Sequence, residues 1–345
     1  MNFEIPQGPE FQSQAEKEPL QKKEVQKSHE QMKKEILDLE MKSPFQRYTD
    51  NDGIEKLRSP EGEEFRIVEM KDAKDKARID KVYNFMLQEF GEDETETKVW
   101  IKKSIEQNLN WYHLIENKKG EVVSLSSVQH LELEPERGKE EAPRESMIYV
   151  CFILTKNEYR AKGLAPELYH DFYRKSLAEA EKKGQKIKGI MGEAVETVEK
   201  FLNKFGRKRM YFEDKEGNLH ETPYFQPPVD IDDDGYAHSN KVPEHVMFKG
   251  VDDRREFKTE DVLRMTKAIY KEYVADVSNY NTKAGYERSW GIMNNLLAEL
   301  QEALEKSKDG KVFLMDIQER EQMKKKVYRA GKELFEVVKE EEDKE

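Results

Sequence analysis

At 345 residues the chain has room for more than one domain, and its formal net charge of −12 excludes a broad nucleic-acid-binding face. The single cysteine, Cys151, excludes a disulfide framework and a cysteine metal site, and no apolar run approaches the length of a membrane span. Hydrophobic residues make up 36% and charged residues 38%, a deficit concentrated at the two ends, so a core of normal size is expected only in the middle. The N-terminus lacks the apolar core of a secretion signal, so a cytoplasmic protein in a reducing compartment is expected.

Residues 1–62 read as a charged N-terminal arm, partly helical or disordered. Val25, Met32, Ile36 and Leu39 fall on one helical face within it. Ser59-Pro60 and Glu61-Gly62 mark a boundary, and the folded body is expected from 63 to 250. Phe65 to Met70 alternates like a strand. Asp75 to Phe90 is a helix closed by Gly91, and Thr97 caps a second helix. Strands over 111–116 and 122–133 flank the turn Asn117-Lys118-Lys119-Gly120.

The chain then gives an unbroken apolar run, Met147 to Leu154, too short for a typical helix and rich in β-branched and aromatic side chains. It reads as a strand buried on both faces, with Cys151 as a small core residue. Leu164, Leu168, Phe172 and Leu177 recur at helical spacing up to a C-terminal cap at Gly184. Between strand and helix lies Arg160-Ala161-Lys162-Gly163-Leu164-Ala165. Backbone N–H groups at such a helix start bind anions, Gly163 allows close approach, and Arg160 and Lys162 add positive charge, so a diphosphate is the natural partner. Ile187 to Val195 is the next strand, Glu196 to Phe205 a short helix before Gly206, and 209–212 and 244–249 the last strands. From Lys258 the pattern turns helical, with helices from Thr259, over 286–306 and over 317–339, so 251–345 is expected as a helical extension.

The pattern Arg160-x-x-Gly163-x-Ala165 between a strand and a helix resembles the signature of the GNAT superfamily of N-acetyltransferases, and the element order over roughly residues 64–250 is similar to that of the family. The resemblance implies an α/β (α+β) fold: a mixed, mostly antiparallel central sheet flanked by helices. It implies acetyl-CoA as acyl donor. Ile153 and Thr155 would supply main-chain contacts to the pantetheine arm, and Arg160, Ala161, Lys162, Gly163, Leu164 and Ala165 would hold the diphosphate. The strand before the motif and the strand after its helix would splay apart around the arm. One main-chain N–H would face the thioester oxygen, and acyl transfer would proceed by direct attack of an amine in a ternary complex. Phe201 to Gly206 is similar to the family's second signature, but Leu202 stands where a Tyr often serves as general acid and Val195 where an Asn is often found.

An attacking amine must lose a proton. Glu193, at the end of the strand across the cleft, is the first candidate base and Glu196 the second. Either is equally readable as an acid in the first turn of the following helix. Tyr169, Tyr211 or solvent would replace the missing acid, although Tyr169 also fits a helix core. Asp230-x-Asp232-x-Asp234-Gly235 matches half a calcium loop, but Lys241 occupies the position of its bidentate Glu, so an acidic turn is expected. The seven histidines show no ligand spacing, and no metal is expected. The acids of this loop, Asp230, Asp232, Asp233 and Asp234, suit a cationic acceptor. No membrane or nucleic-acid partner is expected, and a homodimer stays open. The acceptor stays open among small amines, antibiotics, protein N-termini and lysine side chains. Two rivals remain: a longer-acyl or aminoacyl donor, and a non-catalytic GNAT-fold protein that binds CoA and assembles through its helical extensions.

Overall fold

The computed structural model describes residues 14–91, 95–136, 138, 142–194, 196–227, 242–252, 254–274 and 282–322. A long helix α1 (Gln14–Lys42) is followed by a hairpin of β1 (Gln46–Thr49) and β2 (Glu55–Arg58). β3 (Glu64–Met70) leads to α2 (Lys76–Phe90) and α3 (Lys98–Glu106), then β4 (Trp111–Asn117), β5 (Val122–Leu133) and β6 (Glu145–Thr155). α4 (Leu164–Lys183), β7 (Lys186–Ala194), α5 (Glu196–Lys204), β8 (Lys208–Glu213) and β9 (Leu219–Glu221) come next. The short β10 (Phe225–Gln226) and β11 (Val242–Pro243) pair with each other. β12 (His245–Gly250), β13 (Glu256–Lys258), α6 (Thr259–Val274), α7 (Lys283–Leu304) and β14 (Lys311–Met315) complete the described chain, with residues 317–322 helical.

The local signals act as their chemistry dictates. Asp75 accepts from the N–H of Arg78 at 3.0 Å and Thr97 from that of Trp100 at 3.1 Å, so both helix starts are capped by side-chain oxygens. Gly184 ends α4 in the left-handed conformation, φ +63°.

Twelve strands form one sheet in the order β1-β2-β3-β4-β5-β6-β7-β12-β8-β14-β13, with β9 beside β8. β6 and β7 run parallel, and the other described pairs are antiparallel. The fold is therefore α/β with a mixed, mostly antiparallel sheet flanked by helices, and a helical region follows β13. Met147 and Tyr149 pack toward α6 and α7, and Phe152 and Leu154 toward α2 and α3. Ile148 and Val150 pack toward α1 and α4 on the opposite face.

The ends are tied into this body. The apolar stripe Met32, Ile36 and Leu39 lies against α4 and β7. His29 bonds the carbonyl of Gln185 at 2.8 Å, and Ser28 accepts from the N–H of Ile187 at 2.9 Å. The sheet begins at Gln46, ahead of the expected start at Glu64, and Ser59 to Gly62 forms the turn between β2 and β3. At the other end β14 pairs with β8, and α6 covers the sheet face that would otherwise leave Met147, Tyr149 and Phe248 in water.

Three buried charges and one half-buried charge fix α6 to the sheet. Lys188 on β7 pairs with Asp261 at 2.5 Å and Glu145 at 3.4 Å, and Arg264 bonds Glu145 at 3.0 Å and Asp261 at 3.2 Å. Removing one member leaves the others poorly compensated. Lys188→Met is expected to lower folding stability by about 3 kcal/mol, read as a shift in the denaturant midpoint. A shift within about 0.5 kcal/mol of zero would show that the network is not what holds the extension in place.

Candidate active site

The pairing of β6 with β7 runs from Glu145 opposite Lys186 to Val150 opposite Gly192 and then stops. β6 continues to Thr155 along β5 alone. Cys151 has no partner on β5, because Ser127 faces Phe152 while Val128 faces Val150, so Cys151 is the extra residue of a β-bulge. The run expected to be buried on both faces is buried only from Met147 to Val150. From Cys151 to Thr155 each residue is half-buried, since the neighbouring strand has turned away. Lys156 donates its N–H to Val123 on the β5 side at 3.0 Å. By strand alternation Thr155 and Ile153 then direct their backbone groups to the opposite edge, into the gap.

Beyond Thr155 the chain makes one 3₁₀ turn, Asn157–Tyr159, and enters α4 through the Arg160–Ala165 segment. Ala161 (φ +64°) and Gly163 (φ +89°) are both left-handed, a conformation uncommon for a residue with a Cβ. Arg160 reaches back to the carbonyl of Thr155 at 3.0 Å and pairs with Glu89 at 2.9 Å. Lys162 pairs with Glu63 at 2.8 Å and lies over the Tyr159 ring. Both side chains are exposed, so these pairs are weak and exchangeable. Pro44 and Phe45 lie against Gly163, and Glu167 in the first turn of α4 accepts from Ser43 and from Arg47 at 2.8 Å. Leu164 is buried and Ala165 half-buried.

Across the gap, Glu193 is half-buried, with its carboxyl enclosed by tyrosines. Tyr149 on β6 donates to it at 2.7 Å, and Tyr224, just before β10, donates to the same oxygen. Tyr270 and Tyr273 of α6 complete the surround. Tyr270 donates to the carbonyl of Phe225 at 2.8 Å, and its ring lies 5.8 Å from that of Tyr224. Burial pushes the Glu193 carboxyl above the usual carboxylate range, and the two tyrosine donors oppose that shift. Burial and the Glu193 charge push Tyr149, Tyr224 and Tyr273 well above the ordinary phenol range. They therefore stay protonated and act as donors.

A second carboxylate, Glu96 in the segment before α3, acts on the same Cys151. Burial raises Glu96 to about 7, against hydrogen bonds from Tyr112 at 2.8 Å and Trp100. Cys151 lies within the fields of both Glu96 and Glu193. Burial and those charges push its thiol well above the ordinary range, so it is held protonated and unreactive.

The structure thus places Ile153 and Thr155 on the stretch of β6 that has lost β7, and Glu193 beside the bulge at Cys151. It does not bring Tyr169 to them: that side chain is fully buried between α4 and α5, stacked on Phe205 at 4.0 Å. Tyr211 is also away from the gap, on β8 opposite Phe313 of β14. Leu202 packs with Ala194 and Met247. Glu196 is the first residue of α5, and Asp230, Asp232, Asp233 and Asp234 lie outside the described residues. Among the described residues no cluster of potential metal ligands is present. Glu96, Tyr149, Tyr224, Tyr270 and Tyr273 carried no recognisable signal in the sequence. Glu96 sits beside a helix cap, Tyr149, Tyr270 and Tyr273 sit in segments that read as core, and Tyr224 sits in the long segment between the strands expected at 209–212 and 244–249.

No protein-family model and no curated protein matches this chain. Among solved structures it is similar to the Arabidopsis thaliana NAA60 protein in complex with acetyl-CoA, at 6% identity, covering 55% of this chain and 99% of that one with a TM-score of 0.38. It is similar to an aminoglycoside acetyltransferase from an uncultured soil metagenomic sample, at 11% identity, 41% and 85% coverage and a TM-score of 0.32. It is also similar to a predicted acetyltransferase from Clostridium acetobutylicum with acetyl-CoA, at 14% identity, 45% and 94% coverage and a TM-score of 0.32.

Gly163→Ala is expected to destabilise the fold by about 1–2 kcal/mol, since its left-handed φ strains any Cβ. The new Cβ would also lie 3.0 Å from Pro44. Chemical denaturation checks this, and an unchanged midpoint would mean that the turn relaxes freely.

Proposed function

We propose that the protein is an acyl-CoA-dependent N-acyltransferase that transfers acetyl from acetyl-CoA to a cationic amine. The observation that carries this reading is the bulge at Cys151, placed where β6 and β7 part and flanked by two carboxylates of raised pKa. The gap has strand edge without a neighbouring strand along Cys151–Leu154 and, at its far end, a strained turn with two exposed cations. A pantetheine arm bonds to such an edge as an added strand does. A diphosphate takes Arg160 and Lys162 from Glu89 and Glu63 and meets the N–H groups of Gly163, Leu164 and Ala165.

At the bulge, an unpaired main-chain N–H binds the thioester oxygen. It stabilises the charge that develops there by about 2.7–4 kcal/mol, the usual worth of one such donor. The ammonium form of the acceptor is held by Glu193 inside its tyrosine surround, where cation–π attraction adds to the charge pairing. Glu96, poised near neutrality, takes the proton, and the freed amine attacks the carbonyl carbon. The carbon–sulfur bond then breaks, CoA leaves with its electron pair, and the second nitrogen proton passes to solvent to leave the neutral amide. The alternative reading, a non-catalytic CoA-binding protein, draws on Leu202 in place of the usual Tyr.

A thermal-shift series with CoA, acetyl-CoA and longer acyl-CoAs is the first test, and no response to any of them would sink the reading. Given an accepted amine, Glu96→Gln is expected to lower kcat/KM by about 10²–10⁴. The wild-type rise of kcat/KM through pH 7, which reports the deprotonated carboxylate, would vanish with it. Glu193→Gln is expected to act mainly on KM for the amine. If CoA release stays absent over a wide amine panel although CoA binds, the non-catalytic reading gains.

A further inference from the structure

Four buried or half-buried arginines of this chain have a carboxylate partner each. Arg47 pairs with Asp171 at 2.6 Å, Arg209 with Glu199 at 2.6 Å, Arg264 with Glu145 at 3.0 Å and Arg320 with Glu199 at 2.9 Å. Arg207 differs. It is among the most deeply buried large side chains, at 1% exposure, and among the described residues no carboxylate pairs with it. Its Nε and Nη2 have no hydrogen-bond partner. An arginine keeps its charge in a protein, and an uncompensated buried charge is costly. The Tyr169 ring, 5.4 Å from the guanidinium, offsets part of that cost.

Where the guanidinium sits gives the cost a purpose. Arg207 immediately precedes β8, but its side chain reaches β7, and a Cβ on Gly192 would collide with its Nη1. The same point lies 3.0 Å from the carbonyl oxygen of Val150. Val150 opposite Gly192 is the last rung before β6 and β7 separate. The charge therefore stands at the closed end of the gap, and the Arg160–Ala165 turn stands at its open end. A diphosphate held at that turn cannot also neutralise Arg207.

We infer that Arg207 is the counter-charge for the thiolate that leaves when CoA is released, which rests on the acyl-CoA reading given above. Nitrogen attacks the carbonyl, the tetrahedral adduct collapses, and the carbon–sulfur bond breaks with both electrons on sulfur. Of the two protons that the ammonium nitrogen loses, the first is on Glu96 and the second passes to solvent water as the adduct collapses to the neutral amide. The thiolate leaves as an anion paired with Arg207 and takes its proton from water after departure, so no tyrosine is needed at Leu202. A fixed cation lowers the barrier to this step by favouring the charged product over the neutral thioester.

The test uses the full-length protein with CoA and desulfo-CoA, which lacks the thiol, titrated calorimetrically from pH 7 to 9.5. A neighbouring cation lowers the pKa of the bound thiol, so binding of CoA tightens as pH rises while binding of desulfo-CoA does not. The ratio of the two affinities is expected to rise roughly tenfold over this range in the wild type, matching a shift of about one pKa unit. The rise is retained in Arg207→Lys and lost in Arg207→Met. A flat ratio in the wild type, which requires no variant to fold, overturns the inference, as does an equal rise in Arg207→Met. If neither ligand binds at any pH, the acyl-CoA reading itself has failed and takes the inference with it.

Discussion

The separation of β6 from β7 beyond Val150 and Gly192 is the constraint on which the site depends. Two parallel strands that stayed paired would satisfy their own backbone and leave nothing for a ligand. The extra residue at Cys151 makes separation permanent, because it bends β6 and breaks the two-residue alternation there. Up to the bulge β6 faces α6 and α7, and beyond it β6 faces α2 and α3. The bulge therefore marks both where the gap opens and where α6 and α7 give way to α2 and α3 on that face.

The helices after β13 are part of the site. α6 is held by the Lys188, Asp261, Arg264 and Glu145 charges, with an apolar face of Val262, Met265, Ile269 and Tyr270 against the sheet. That seating puts Tyr270 and Tyr273 beside Tyr149, Tyr224 and Glu193. The electrostatic character of the gap thus depends on a segment far from it in sequence.

What the sequence made legible was set by local physics. The apolar run at 147–154, the glycine-bearing turn and the amphipathic α4 each declare themselves through period, length and capping residues, and the structure has all three. Glu193 was legible as a carboxylate at a strand end. Glu96 was not, since its altered acidity comes from burial beside Tyr112, a contact between residues sixteen apart. Tyr169 misled because a tyrosine at helical spacing says which face it shares and nothing about what covers that face, here Phe205. Nothing in the sequence around Arg207 singles it out. Its isolation depends on where carboxylates fail to be, which no local pattern encodes.

One consequence follows from the state of Cys151. On the proposed activity, an activated acyl group is presented within reach of a thiol belonging to the protein. Thioester exchange onto that sulfur would produce an acylated dead end. Burial and two flanking carboxylates keep the thiol protonated and hence a poor nucleophile. On that proposal, the same negative surroundings would serve twice, drawing in an ammonium and guarding the protein against consuming its own donor.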